Sequence, residues 1–164
     1  LTNGGGLYPL LGHFGGMTGE STPRPIVWVG FCPFALHEIM IPVVYGHADL
    51  TDADTSQDFT LYTTPGPTRV ICPPAIDTLS AFSGGGTGSL TMAIGADSDP
   101  DAIGDEKSIF TGGAVGAMTA GVLGYPGALL ASGTVIKAQF VTDTTLAALT
   151  AGAVAGAVRL RPGS

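Results

Sequence analysis

The chain is 164 residues long, 45% apolar and only 12% charged, with a formal net charge of −7. That length suits one ordinary domain, and the apolar share excludes intrinsic disorder as the default state. The six basic residues (Arg24, Arg69, Lys107, Lys137, Arg159 and Arg161) are scattered, leaving no basic stripe to neutralise nucleic-acid phosphates, and no apolar run reaches the ~18 residues of a membrane-spanning helix.

Glycine (26 residues) and proline (12) fall between apolar runs and do not dominate them, which reads as many turns between short strands. Lys, Arg, Glu and Gln are scarce while Thr, Val, Gly and Pro are plentiful, so the expected class is all-β. Sparse charge also suggests a surface partly covered by a partner. The start, Leu1-Thr2-Asn3-Gly4-Gly5-Gly6, lacks the basic and apolar regions of a signal peptide.

Residues 1–25 are rich in glycine and proline and show no periodicity, so they read as an extended N-terminal arm or as plain disorder. In an arm, Leu7, Tyr8, Leu10, Leu11 and Phe14 are the residues able to dock on a neighbouring subunit. A β-sandwich or jelly-roll-like domain is expected over 26–164. Its first strand is Ile26–Phe31, bounded by prolines, and Ala35–Tyr45 follows, with Pro42 marking an edge position or a bulge. Gly46–Asp58 reads as an acidic loop. Phe59–Thr63 and Thr68–Cys72 read as strands joined through Pro65-Gly66-Pro67. A glycine-rich turn over Ser80–Gly88 leads into Ser89–Ile94, where Leu90, Met92 and Ile94 share one face. Gly95–Asp105 reads as a second acidic loop, and 111–133 shows only weak periodicity. Thr134–Thr142 is the clearest strand, with Ile136, Ala138 and Phe140 facing one way and Lys137 and Gln139 the other. A single helical turn over Thr144–Leu149, capped by Thr144, precedes a closing strand over Ala153–Leu160.

Little in the sequence points to chemistry. Asp97-Ser98-Asp99-Pro100-Asp101 spaces carboxylates as a calcium loop does, but Ala102 stands where the sharp turn needs glycine and Ser108 where a bidentate glutamate belongs. Solvated turns are therefore the preferred reading of both acidic loops, with no metal and no cofactor expected. His13, His37 and His47 have no zinc spacing, and there is no Gly-x-Ser-x-Gly elbow. The run Ser83–Gly88 lacks the Lys and helix of a phosphate loop. Trp28 reads as core. Cys32 and Cys72 read as buried thiols, with a disulfide between them as the alternative. A non-catalytic protein is the resulting expectation.

Three stretches resemble structural proteins of tailed-bacteriophage virions, of the head-decoration (cement) or minor capsid kind. They are Tyr45–Asp54 leading into Phe59–Tyr62; Leu90–Gly95 followed by Asp99-Pro100-Asp101-Ala102; and Thr134–Thr142 with Leu149-Thr150-Ala151-Gly152 and the last strand. The resemblance implies a β-sandwich in the virion that stabilises the capsid by bridging capsomers. Its implied partners are the major capsid protein or other virion proteins, and copies of itself, commonly as a trimer. A head–tail or fibre component and a glycan-binding sandwich module are the alternatives. If residues 1–25 are a docking arm, deleting them weakens assembly more than folding. A deletion that lowers the melting temperature of the isolated chain while particle binding persists contradicts the arm.

Overall fold

Apolar side chains at every second position set the architecture. Ile41, Val43 and Tyr45, then Leu90, Met92 and Ile94, then Ile136, Ala138 and Phe140 are all buried, because alternate residues of a strand point to the same face. The computed structural model describes residues 38–112 and 116–163. Its strands are β1 (Ile39–Gly46), β2 (Ser56–Thr63), β3 (Thr68–Ser83), β4 (Leu90–Ala96), β5 (Asp99–Ser108), β6 (Gly116–Ala117), β7 (Leu129–Leu130), β8 (Val135–Thr142) and β9 (Ala151–Pro162). They form two antiparallel sheets packed face to face as an all-β sandwich. One has the order β1-β9-β3-β6, with β7 also paired to β3; the other has the order β2-β8-β4-β5.

The space between the sheets is filled mainly by aliphatic residues, with one aromatic cluster joining the layers. Tyr45 of β1 lies 4.4 Å from Phe59 of β2 and 5.2 Å from Phe140 of β8, and Phe59 and Phe140 meet edge-on at 5.7 Å, all between ring centroids. These are the separations at which aromatic pairs add to simple area burial. At one end, the connections following β2 and β7 are tied together: the buried Thr64 hydroxyl donates to the Ala131 carbonyl at 2.6 Å, and the Thr64 amide donates to the Thr134 carbonyl at 3.0 Å.

The two sides of the sandwich differ. On one side the segment after β6 crosses between the sheets. The Met118 amide donates to the Pro74 carbonyl at 2.7 Å, while the Asp105 amide donates to Thr119 at 2.8 Å and the Leu123 amide to Ala102 at 2.6 Å. Gly121 and Gly124 make this possible, since a Cβ there would come within 2.0 Å of the Asp101 carbonyl and 1.7 Å of the Ile103 carbonyl. On the other side β1 and β2 are edges among the described strands, and Pro42 sits in β1, as expected of a residue that cannot donate to a ladder. Ile39 pairs with Leu160, so the described fold starts and finishes on neighbouring strands at one end.

Several sequence expectations need correction. Gly95–Asp105 is not a loop: β4 and β5 form a hairpin in which Ala96 pairs with Asp99 across Asp97-Ser98. Asp97 takes φ 55°, a left-handed conformation that aspartate tolerates, and its carboxylate accepts from the Val135 amide at 3.0 Å. Pro100 therefore lies in a strand. Strand β3 does not stop at Cys72. Pro73 and Pro74 are absorbed in a register shift between Cys72 and Ala75, and pairing with β9 continues to Ser83. The helical turn near 146 is a short 3-10 turn (Leu146–Ala148) with Thr145 at its cap position; the Thr144 hydroxyl instead bonds that of Thr87 at 2.6 Å. Cys72 is half-buried and not a core thiol. Ile26–Phe31, Trp28, Cys32 and the beginning of the strand expected over Ala35–Tyr45 lie outside the described residues.

Phe140→Ala is expected to cost about 3–5 kcal/mol in urea unfolding, through lost burial and the cavity left beside Tyr45 and Phe59; a loss below about 1 kcal/mol would contradict the packing described. Burial, reinforced by the Asp49 charge, pushes the Tyr45 phenol up from its ordinary value of 10.0 to about 12. Below pH 10 both folded and unfolded chains hold that proton. Between about pH 10 and 12 only the unfolded chain releases it, so stability falls across that window and the loss levels off above it. Tyr45→Phe removes this part of the decline, which denaturation at a series of alkaline pH values measures.

Candidate docking face

The outer faces of the two sheets differ in chemistry. The outer face of the four-stranded sheet is polar. Asp58 of β2 accepts from the Gln139 amide at 3.0 Å and pairs with the Lys137 ammonium at 3.8 Å, while the Thr91 hydroxyl donates to Glu106. A shallow hollow of about 130 Å³ lies beside Asp58, Lys137 and Pro100, well below the size of an ordinary small-molecule site. A larger open hollow of about 340 Å³ lies at the outer side of β5, lined by Asp101, Asp105, Ala120, Gly121 and Val122.

The outer face of the five-stranded sheet is apolar over much of its area. Strand β9 reads Ala-Gly-Ala-Val-Ala-Gly-Ala-Val from Ala151. Val154 and Val158 are buried, so Ala153, Ala155 and Ala157 point outward. The register sets Pro42 beside Ala157 and Val44 beside Ala155 on one flank, and Ala75 beside Ala157 on the other. Met40 (48% exposed) and Val44 (50%) extend the patch along β1. Alanine outside and valine inside make this face flat. Asp77, opposite Ala155, places a carboxylate on it.

Arginines close one end of the face. Arg69 of β3 stands directly opposite Arg161 of β9, and Leu129 of β7 opposes Arg69 on its other flank. Arg159, two residues from Arg161 and therefore on the same side, pairs with Glu38. Its guanidinium holds the Glu38 carboxyl below the usual carboxylate range. Arg69 donates to the Gly127 carbonyl at 2.9 Å. Like charges directly opposite on a ladder are unfavourable in isolation, so the Arg69–Arg161 pair carries a local cost.

The residues singled out from the sequence are placed as follows. Leu7, Tyr8, Leu10, Leu11 and Phe14 lie outside the described residues, as do His13 and His37. Gly84, Gly85 and Gly86, all with positive φ, connect β3 to β4 as a turn. Asp97, Asp99 and Asp101 are divided between the hairpin turn and β5, and among the described residues no group of three or more His, Cys, Asp or Glu side chains is gathered as a metal site. No helix among the described residues is long and apolar enough to cross a membrane. The apolar outer face was not assigned from the sequence, although the small residues at alternate positions of β9 are a partial signal of it; the arginine row carried none, because only pairing brings Arg69 beside Arg161.

The chain matches no protein family, no curated protein and no solved structure in comparisons with each.

Proposed function

We propose that this protein is a non-catalytic structural component of a tailed-phage virion, of the kind that decorates and stabilises the capsid. The observation that carries the reading is the flat apolar outer face of the five-stranded sheet. Met40, Pro42, Val44, Ala155 and Ala157 lie side by side there, on a chain whose charged share is only 12%. Surfaces that stay exposed are normally broken up by charge, whereas the centres of protein interfaces are depleted in it. Small outward side chains let a second surface approach the sheet closely over many contacts, which suits adhesion better than the capture of a small molecule. The three stretches that resemble virion proteins add to the same reading.

The mechanism is stabilisation by mass action. A protein that binds the assembled shell and not its separated subunits raises the shell's stability in proportion to the logarithm of its free concentration over its dissociation constant, roughly 2.7 kcal/mol per site at a hundredfold excess over that constant. No bond is made or broken, so the protein's contribution is shape, apolar contact and a charge at the margin.

The purified chain is expected to co-sediment with tailed-phage capsids prepared from the same source as the gene, and to delay their thermal disassembly. Ala155→Arg with Ala157→Arg is expected to abolish co-sedimentation while the melting temperature stays within a few degrees of the parent. Capture on a glycan array, with no binding to capsids, would overturn the reading in favour of a sugar-binding sandwich.

A further inference from the structure

Half of the chain's six basic residues, Arg69, Arg159 and Arg161, lie together at one end of the apolar face, although the chain is acidic overall. Arg159 is matched by Glu38, whereas Arg161 has no side-chain acceptor among the described residues. Across the sandwich, the open hollow of about 340 Å³ beside β5 carries the opposite chemistry. Its carboxylates are Asp101 and Asp105, its apolar wall is Ala120 and Val122, and Val122 is 70% exposed. Neither Asp101 nor Asp105 has a cationic partner among the described residues; Lys107, close by in sequence, reaches the Gly116 carbonyl instead at 3.3 Å. A side-chain hydrogen bond with Asp99 holds the Asp101 carboxyl above the usual carboxylate range, which fits carboxylates crowded together without a cation.

The two surfaces complement each other and lie on different sides of the molecule. We infer that the occupant of the arginine row is a second copy of this chain, which receives Arg69 and Arg161 in its Asp101–Asp105 hollow and so builds a head-to-tail assembly. An arginine suits such a hollow: its methylene stem lies along Val122 and Ala120 while the planar guanidinium reaches the carboxylates. Because donor and acceptor surfaces differ, the contact is heterologous and leaves one free surface of each kind, to be closed in a ring or continued in an open chain. This inference rests on the docking reading of the apolar face and names what meets its charged end.

The test uses the full chain in sedimentation-velocity ultracentrifugation at low and high sodium chloride, over a hundredfold range of protein concentration. Concentration-dependent association that weakens about tenfold or more between ~50 and ~500 mM salt is expected, since charge contacts at an interface margin are screened. Arg69→Glu with Arg161→Glu, and separately Asp101→Arg with Asp105→Arg, are each expected to leave a monomer with an unchanged circular-dichroism spectrum. Mixing the two variants restores association, because the unaltered row of one meets the unaltered hollow of the other. A parent chain that is monomeric under every condition overturns the inference, as does an oligomer indifferent to the hollow variant, which would mean that the faces pair with themselves or are covered by residues 1–37. If a variant loses its native spectrum, Arg161→Gln and Asp105→Asn replace the reversals, and an undiminished association constant in both counts against the contact. Capsid co-sedimentation of the same samples separates the two readings. A monomer that binds capsids ends the self-association inference alone, and an oligomer that binds none ends the virion reading alone.

Discussion

Backbone pairing of β9 on both of its sides is the constraint on which the larger sheet depends. β9 runs between β1 and β3, matched to β1 from Ala153 to Leu160 and to β3 from Ala151 to Pro162. A strand so placed has donors and acceptors satisfied on both flanks, and its composition can be given over to close packing. Gly156 shows the consequence: a Cβ there would come within 2.4 Å of the Ala75 carbonyl, so the bulged β3 can pack against β9 only because that position has no side chain. The inward valines bind the sheet to its partner layer, and the outward alanines leave its other face flat. Core and apolar outer face are therefore two sides of a single alternation.

The aromatic cluster gives this layered arrangement its registry. Tyr45 of one sheet is seated against Phe59 and Phe140 of the other, so sliding one sheet over the other would break both of its ring contacts together. Interiors are packed too densely to absorb such a slip gradually. The strap after β6 performs a similar task on the opposite side by backbone pairing, with glycines where a Cβ would collide with β5.

The parts of the fold that were legible in the sequence were those in which hydrophobic period and turn chemistry agree. In β8, Ile136, Ala138 and Phe140 alternate with Lys137 and Gln139, and Pro65-Gly66-Pro67 announces its turn. Legibility failed where local preference and tertiary demand diverge. Asp99, Pro100 and Asp101 have the composition of a loop, yet Ala102 and Ile103 behind them are buried and hold the segment in β5 as an edge strand, where proline and charge are tolerated. Pro73 and Pro74 mark a strand end by local rules, and only the length of β9 opposite them shows that β3 continues through a bulge. The apolar outer face was half legible. Its alanines alternate openly, but whether they face solvent or core depends on the second sheet, and the arginine row depends on pairing between residues far apart in the chain.

The register that sets Ile39 opposite Leu160 has a mechanical consequence. A pull applied between these two points acts across the β1–β9 ladder at its end, perpendicular to the strands, and loads its hydrogen bonds one after another. Such a geometry peels at low force, because at any moment a single rung carries the tension. A pull between Gly46 and Leu160 instead runs along the same ladder and shares the load among many rungs in shear. The described fold is thus compliant toward tension between Ile39 and Leu160 and stiff toward traction along β1.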